Sequence, residues 1–292
     1  MKKCVILSMD DTSSFAVYDH LLLPYLEKAG WQVETLSWKA DVDWNHYHLV
    51  MIRSPWDYQL DSNHFLQVLN RIDNSSAHLD NPLEVVRWNI KKTYLRDLEQ
   101  KGVVILPTLW KENIVGREVQ SFFDKLETDE IVIKPCIGAG AFDTYRLTRE
   151  KAETLSLEIE NKFDDRQAMV QPFASNILSE GEFSIFYFDD LYSHTILKTP
   201  KQGDFRVQEE WGGHLQLVEP ETELISAAET VLRNIGQSLL YVRLDFVRTS
   251  KGFALMEAEL IEPSLYFNLD EGSPERFVEA VERRTKRLGI VN

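Results

Sequence analysis

This 292-residue sequence is poor in cysteine, in long apolar runs and in clustered basic residues. Its two cysteines, Cys4 and Cys136, are too few for a disulfide framework or a cysteine-built zinc site, and both suit a reducing compartment. No apolar run approaches the roughly twenty residues that span a bilayer. The first one, Val5-Ile6-Leu7, is too short for the apolar region of a secretion signal, and no small-residue cleavage site follows it. These absences predict a soluble, cytoplasmic protein. Against 32 lysines and arginines stand 47 acids, giving a formal net charge of −15. No basic cluster offers a footprint for a nucleic-acid backbone, so nucleic acid and membrane are both excluded as expected partners. Low-complexity tracts are missing as well.

What remains is ample core-forming material: 43% of residues are hydrophobic and 11% aromatic. The first segment alternates strand and helix, with strands over 3–8, 31–36 and 49–52 and a helix over 18–29 stopped by Gly30, a βαβ pattern that implies a parallel sheet. It lacks G-x-G-x-x-G after the first strand, which argues against a dinucleotide site. From about Asn89 helices over 92–100 and 117–126 alternate with strands over 103–106, 130–134, 144–147 and 168–171. Beyond Gly181 strands dominate, over 183–188, 191–197 and 205–208, before a helix over 222–236 and a strand pair. The expected division is 1–88, 89–176 and 177–292.

The strand pair, 240–247 and 253–260, flanks Ser250-Lys251-Gly252. With these as a three-residue hairpin loop, Thr249 faces Phe253, Asp245 faces Glu257 and Arg243 faces Glu259, all four charged side chains on one sheet face. Three carboxylates on one face repel one another unless a cation lies between them, and hard oxygen donors suit Mg²⁺, with Mn²⁺ as an alternative. The bland reading is a solvated face neutralised by Arg243. The adjoining Ile261-Glu262-Pro263-Ser264 adds an acid and a hydroxyl at the same strand end.

Lys134 ends an apolar strand and precedes Gly138-Ala139-Gly140-Ala141, where small residues let backbone amides approach a phosphate and the lysine supplies a point charge. No Gly-Lys-Ser/Thr closes it, so it is not a Walker A loop. Gln171-Pro172-Phe173 forms a strand end that can present donors, acceptors and an apolar ring to a purine, and Glu182 opens the next strand within reach of a ribose. Each of these, taken singly, is equally a tight turn or a strand stop. Lys92 alone is ordinary surface solvation.

The order of Lys92, Lys134 with its small-residue loop, Gln171, Glu182, Arg206 and the Asp245/Glu257/Glu259 set resembles ATP-grasp enzymes of the glutathione synthetase type over nearly the full chain. The stretches Lys198-Thr-Pro-Lys-Gln-Gly-Asp-Phe-Arg206-Val-Gln and Glu259-Leu-Ile-Glu-Pro-Ser264 are most similar to the ATP-grasp ligases that close the cycloserine ring. This resemblance implies an α/β fold with an N-terminal Rossmann-like domain ahead of two ATP-grasp lobes. It implies that Lys92 and Lys134 hold ATP phosphates under residues 138–141, that Gln171 and Phe173 frame adenine, and that Glu182 binds ribose. It assigns Asp245, Glu257 and Glu259 to Mg²⁺ and Arg206 to the acyl phosphate, with Lys134 and Arg243 also catalytic. Gln171 stands where glutamate is common, and Glu259 where asparagine is usual in glutathione synthetase.

The implied reaction is ATP-dependent carboxylate–amine ligation of a small amino-acid-like substrate, an intramolecular cyclisation being one form of it, in a possible homodimer. A phosphotransferase and a silent ATP-binding regulator are the alternatives. Arg53 and Asp57 follow a buried strand at its carboxyl end, where ligands of open α/β sheets bind, and are candidates for a substrate carboxylate and ammonium, with Glu262 and Ser264 beside them. The Arg53–Tyr58 stretch reads equally as a loop anchored by a buried tryptophan. His46 and His48 have ligand spacing but no third ligand nearby.

Overall fold

The computed structural model describes residues 2–138, 140 and 142–290. Among them, three sheets form in sequence order. The first is parallel and contains β1 (Lys2–Ser8), β2 (Trp31–Ser37), β3 (Leu49–Ser54) and β4 (His78–Asp80) in the order β2-β1-β3-β4. Every residue of β3 is buried, the near-continuous apolar signature of a central parallel strand. Between β1 and β2 the chain makes a 3-10 turn over Asp19–Leu22 before α1 (Leu23–Lys28). Pro24, in the first turn of α1, has no N–H to donate, so the expected single helix divides there. Helices α2 (Ser62–Asp73) and α3 (Leu83–Asn89) complete this lobe.

Helix α4 (Tyr94–Gln100) follows, then β5 (Leu109–Lys111), α5 (Val119–Lys125), β6 (Glu130–Pro135), β7 (Tyr145–Thr148), α6 (Arg149–Phe163) and β8 (Ala168–Pro172). The four strands make an antiparallel sheet in the order β5-β8-β6-β7, packed on α5 and α6 through Phe122, Phe123, Ile159 and Phe163. Helix α4 does not join that core. Its Tyr94, Leu95 and Leu98 pack with residues of the last sheet, and the Tyr94 hydroxyl accepts from the Ala258 N–H at 2.8 Å. The chain thus contacts its third lobe before it builds its second.

The third sheet follows α7 (Asn176–Ser179) and is antiparallel, with β9 (Glu182–Phe188), β10 (Leu191–Thr199), β11 (His214–Leu217), then α8 (Thr222–Ile235), β12 (Tyr241–Thr249) and β13 (Gly252–Glu259) in the order β11-β10-β9-β12-β13. Helix α9 (Ser273–Arg287) returns to the first lobe, where Phe277, Val278 and Val281 share a core with Cys4 and Ile6. Among the described residues no helix is long and apolar enough to cross a membrane.

Three expectations fail locally. Residues 103–106 form no strand, only one parallel bridge from Ile105 to Leu255, because Pro107 lacks the N–H that would continue a ladder. Residues 205–208 form a loop: the Asp204 carboxylate accepts from the N–H groups of Phe205 and Arg206 at 2.7 and 3.0 Å and withdraws them from strand pairing. The edge strand is β11 instead. The last hairpin turns over two residues, Ser250 and Lys251, so Thr249 faces Gly252 and Arg248 faces Phe253. A bulge at Met256 then shifts the register by one, and Asp245 faces Glu257 and Arg243 faces Glu259 all the same.

Candidate active site

The row of charge on the third sheet follows from pairing. Lys198 of β10 lies opposite Glu182 of β9, Ser184 of β9 opposite Asp245 of β12, and Asp245 opposite Glu257 of β13. Period-two alternation carries Lys198, Glu182, Asp245, Arg243, Glu257 and Glu259 into one cavity of about 550 Å³. Lys92 enters it from just ahead of α4, Lys134 from β6, and Gly138 and Gly140 from the loop that follows. The Lys92 N–H donates to the Cys136 carbonyl at 2.7 Å, fastening the glycine loop to that helix. Ala139 lies outside the described residues.

The acids are not left to repel one another. The Glu257 carboxylate accepts from the Lys92 ammonium. Asp245 accepts from the Ser184 hydroxyl and from Arg243 at 3.0 Å, with Lys198 3.5 Å away, and Arg243 also donates to Glu259. Lys198 pairs with Glu182 at 2.5 Å. Burial acts to raise both acids. At Asp245 the opposing Arg243 and Lys198 outweigh it and bring the carboxyl down to about 2, and at Glu257 Lys92 and Lys134 do the same in direction. At Glu259 burial prevails, reinforced by the neighbouring acids, and pushes the carboxyl up to about 8. Glu262 is likewise raised, to about 7, chiefly by burial.

Lys134 is the converse: burial pushes its ammonium down in pKa, and among the described residues no carboxylate pairs with it. A desolvated ammonium beside a glycine loop suits an anion. Among the described residues no three carboxylate, cysteine or histidine side chains surround a common point as a ready cage. Lysine and arginine meet the carboxylates instead. The donor set is all hard oxygen, which fits Mg²⁺.

At the other wall, buried Gln171 donates to the Thr108 hydroxyl at 2.9 Å. Phe173 carries the Arg146 guanidinium 3.7 Å above its ring and meets Phe205 edge-on at 6.1 Å. Arg206 lines the cavity but is held by Asp204, at 3.0 and 2.7 Å, and lies 3.6 Å over the Trp211 ring. The Trp211 indole N–H reaches the Gly140 carbonyl at 3.4 Å, linking this loop to the glycine loop.

Glu262 and Ser264 line the cavity; Arg53 and Asp57 do not. Arg53 is 1% exposed, donates to Asp19 at 3.1 Å and to the Pro263 carbonyl at 2.9 Å, and lies over the Tyr241 ring. Asp57 turns towards Trp38, accepting from its indole N–H at 2.7 Å, and towards Lys39. Trp56 and Tyr58 of the same stretch line the cavity in their place. Arg53 instead belongs to a series that sequence reasoning missed. Six successive carbonyls each accept from a side chain: Leu260 from Asn81 at 2.7 Å, Ile261 from Tyr241 at 2.8 Å, Glu262 from Trp56 at 2.9 Å, Pro263 from Arg53 at 2.9 Å, Ser264 from Arg243 at 3.2 Å and Leu265 from His194 at 3.1 Å. Lys198, Asp204 and Trp211 were missed too. Lys198 alone had a signal, since a lysine ending an apolar strand in phase with buried Ile196 points inward. His46 is exposed, and His48 accepts from the Lys3 N–H at 3.1 Å.

Known proteins share this fold. Residues 4–81 match a family model described as D-cycloserine synthetase DcsG, N-terminal domain. The cycloserine biosynthesis protein DcsG of Streptomyces lavendulae is 29% identical over 284 residues, covering 92% of this chain and 95% of that one. A crystal structure of D-cycloserine synthetase DcsG superposes with a TM-score of 0.84 at 27% identity, over 97% of this chain and 99% of that one. The ATP-grasp ligase PsnB, solved with a minimal precursor, Mg and ADP, follows at a TM-score of 0.65 and 13% identity, over 97% and 98% of the two chains. The chain has the ATP-grasp fold and is a homologue of D-cycloserine synthetase over nearly its whole length.

Proposed function

We propose that this ATP-grasp ligase activates the carboxylate of a small amino-acid-like substrate as an acyl phosphate and lets a nitrogen of the same molecule close on it, as the cycloserine-forming relative implies. The observation that carries this reading is the row Lys198, Glu182, Asp245, Arg243, Glu257, Glu259 on one sheet face, met across a single cavity by Lys92 and Lys134.

A carboxylate is a poor electrophile because its oxygen does not leave. Transfer of a phosphoryl group to it creates a leaving group, and charge then develops on the transferred oxygens. Lys134, which has no carboxylate partner among the described residues, and Lys92 hold the triphosphate under Gly138 and Gly140. Gln171 and Phe173 frame the base, and Glu182 holds the ribose. Asp245, Glu257 and Glu259 would hold Mg²⁺, or Mn²⁺ in its place, which when bound would supply positive charge to the phosphates. Arg206 neutralises the acyl phosphate and the tetrahedral species formed as nitrogen attacks. Arg243 fixes the Asp245 and Glu259 carboxylates and the Ser264 carbonyl, so three site elements share one guanidinium. Within the division 1–88, 89–176 and 177–292, the first part acts as substrate domain, the β5–β8 sheet with α5 and α6 as lid, and the last part, with α4 packed on it, as catalytic lobe of an enzyme we place in the cytoplasm and assign as a homodimer.

Incubation with ATP, Mg²⁺, hydroxylamine and a panel of amino acids tests this. Hydroxamate and ADP are the expected products. A stable phosphorylated product without hydroxamate would convert the reading to a phosphotransferase, and ATP binding with no stimulated turnover would convert it to a silent nucleotide-binding protein.

A further inference from the structure

The acids of the cavity divide into two kinds. Glu182, Asp245, Glu257 and Glu259 each meet a lysine or arginine of the chain. Among the described residues, Glu262 alone of the cavity-lining acids on this strand end has no such ion pair, although Lys92 and Arg243 act on it through space. Its backbone is fixed: its own carbonyl accepts from Trp56 and the next one from Arg53. The carboxylate therefore faces the cavity from a rigid frame and does not follow a mobile loop.

The neighbours of Glu262 differ in kind from those of the metal-binding acids. Phe15, Trp56 and Tyr58 line the cavity at this end, with Phe15 and Trp56 ring centroids 5.4 Å apart and the Tyr58 hydroxyl beside the Glu262 carboxyl. Aromatic faces attract organic cations through their quadrupole, and a carboxylate gives such a cation a charged acceptor. Magnesium prefers several hard oxygens and water, which three aromatic rings do not supply. A primary ammonium matches both features, because it donates to one carboxylate while its remaining surface lies against rings.

We propose that Glu262, with the Phe15–Trp56–Tyr58 wall, is the subsite for the ammonium group of the substrate and the place where an amino acid is selected over its hydroxy-acid counterpart. The assignment deepens the ligase reading. It orients the substrate with its ammonium at the first-lobe wall and its carboxylate towards Lys134 and Arg206. It also gives Glu262 the task that Asp57, turned onto Trp38 and Lys39, does not perform.

The test is a binding measurement that needs no turnover. Calorimetry on the full chain compares amino acids with their hydroxy-acid counterparts, serine with glycerate and alanine with lactate, each with and without Mg²⁺ and a non-hydrolysable ATP analogue. The best-binding amino acid should exceed its hydroxy counterpart by at least about tenfold, the worth of one charged hydrogen bond. Glu262→Gln should lose about tenfold in amino-acid affinity by the same measure while its affinity for the ATP analogue stays within about twofold. Equal binding of the hydroxy acids would overturn the assignment with wild-type protein alone, whether or not the variant folds. So would wild-type amino-acid affinity in the variant, a loss confined to the Mg²⁺ requirement, or failure of every amino acid to bind while the ATP analogue binds. Hydroxamate formation reports the ligase reading separately: ammonium selectivity without hydroxamate sinks that reading and leaves this one standing.

Discussion

Two stretches of the third lobe reach the same cavity by opposite means. Residues 260–265 are held by six side chains from both the first and third lobes, one for each carbonyl. The loop over 200–213, which carries Arg206, is held mostly by itself: Asp204 grips Arg206 and the N–H groups beside it, and Arg206 lies on Trp211. Its ties to other lobes include the Trp211 contact with Gly140, a 2.9 Å hydrogen bond from Tyr18 to Glu209, the edge-on contact of Phe205 with Phe173 and the packing of Val207 with Leu106. The first stretch is preorganised, which suits groups that orient a substrate before reaction. The second rearranges at the cost of a few local bonds, which suits a charge needed only when negative charge develops.

The comparison breaks most visibly if the fixed region loses a charge. Lys198→Ala leaves Glu182 and Asp245 buried with one cation fewer, and removing one member of a buried pair costs about 3–5 kcal/mol. A denaturant titration should show that loss; a change under about 1 kcal/mol would mean that water already screens the row. In the movable region Arg206→Ala should leave stability and ATP affinity nearly intact and lower kcat by about 10²–10³-fold, the range for deleting one donor to developing charge. Lys134→Ala should do the reverse and weaken ATP binding itself. Equal losses of ATP affinity in both variants would erase the distinction between a phosphate holder and a transition-state group.

The same contrast explains what was legible in the sequence. Cross-strand pairing is periodic, so Asp245, Glu257, Arg243 and Glu259 could be placed on one face by counting. The count assumed a three-residue turn, whereas the chain places its extra residue at Met256. Both devices insert one residue between the turn and the site, and the facing pairs are the same. Residues 205–208 were misread as a strand because their apolar–polar alternation is real, while the side chain that diverts their N–H groups belongs to the preceding Asp204. Arg53 fits a ligand-binding pattern in sequence, and only packing reveals that its partners are Asp19 and a carbonyl 210 residues away. Long-range side-chain-to-carbonyl bonds have no period, and so no sequence signal.

His194 sharpens the comparison through pH. It is 2% exposed, stacked 4.2 Å from Phe186, and bonded at Nε2 to the Leu265 carbonyl. A carbonyl only accepts, so Nε2 carries the proton and Nδ1 accepts from the Ser193 hydroxyl in the neutral ring. Burial lowers its pKa to about 4, below the usual histidine value. The unfolded chain therefore binds the extra proton first, and the contribution is complete above about pH 6.5 and falls as pH drops towards 4. The difference amounts to about 3 kcal/mol. Wild type should lose that much more stability than His194→Gln between pH 7 and 4, and parallel profiles would place a charged ring in the native state.

The smallest expected effect is at Gly181, where the fixed row begins. Its φ of +118° lies in a region other residues rarely adopt. A Cβ there would lie 2.7 Å from the Lys198 carbonyl oxygen and 2.8 Å from Leu197 Cδ1, so β9 or β10 must give way between Glu182 and Lys198. Strain of this kind costs about 1–3 kcal/mol. Gly181→Ala should lower the melting temperature and also weaken ATP binding, because the displaced strand carries Glu182. Gly102 provides the control: it too has positive φ, +90°, but a Cβ there meets nothing within 4 Å and it does not line the active-site cavity. Gly102→Ala should lower stability without touching ATP affinity, and if both variants weaken ATP equally, the row is not set by the β9–β10 register.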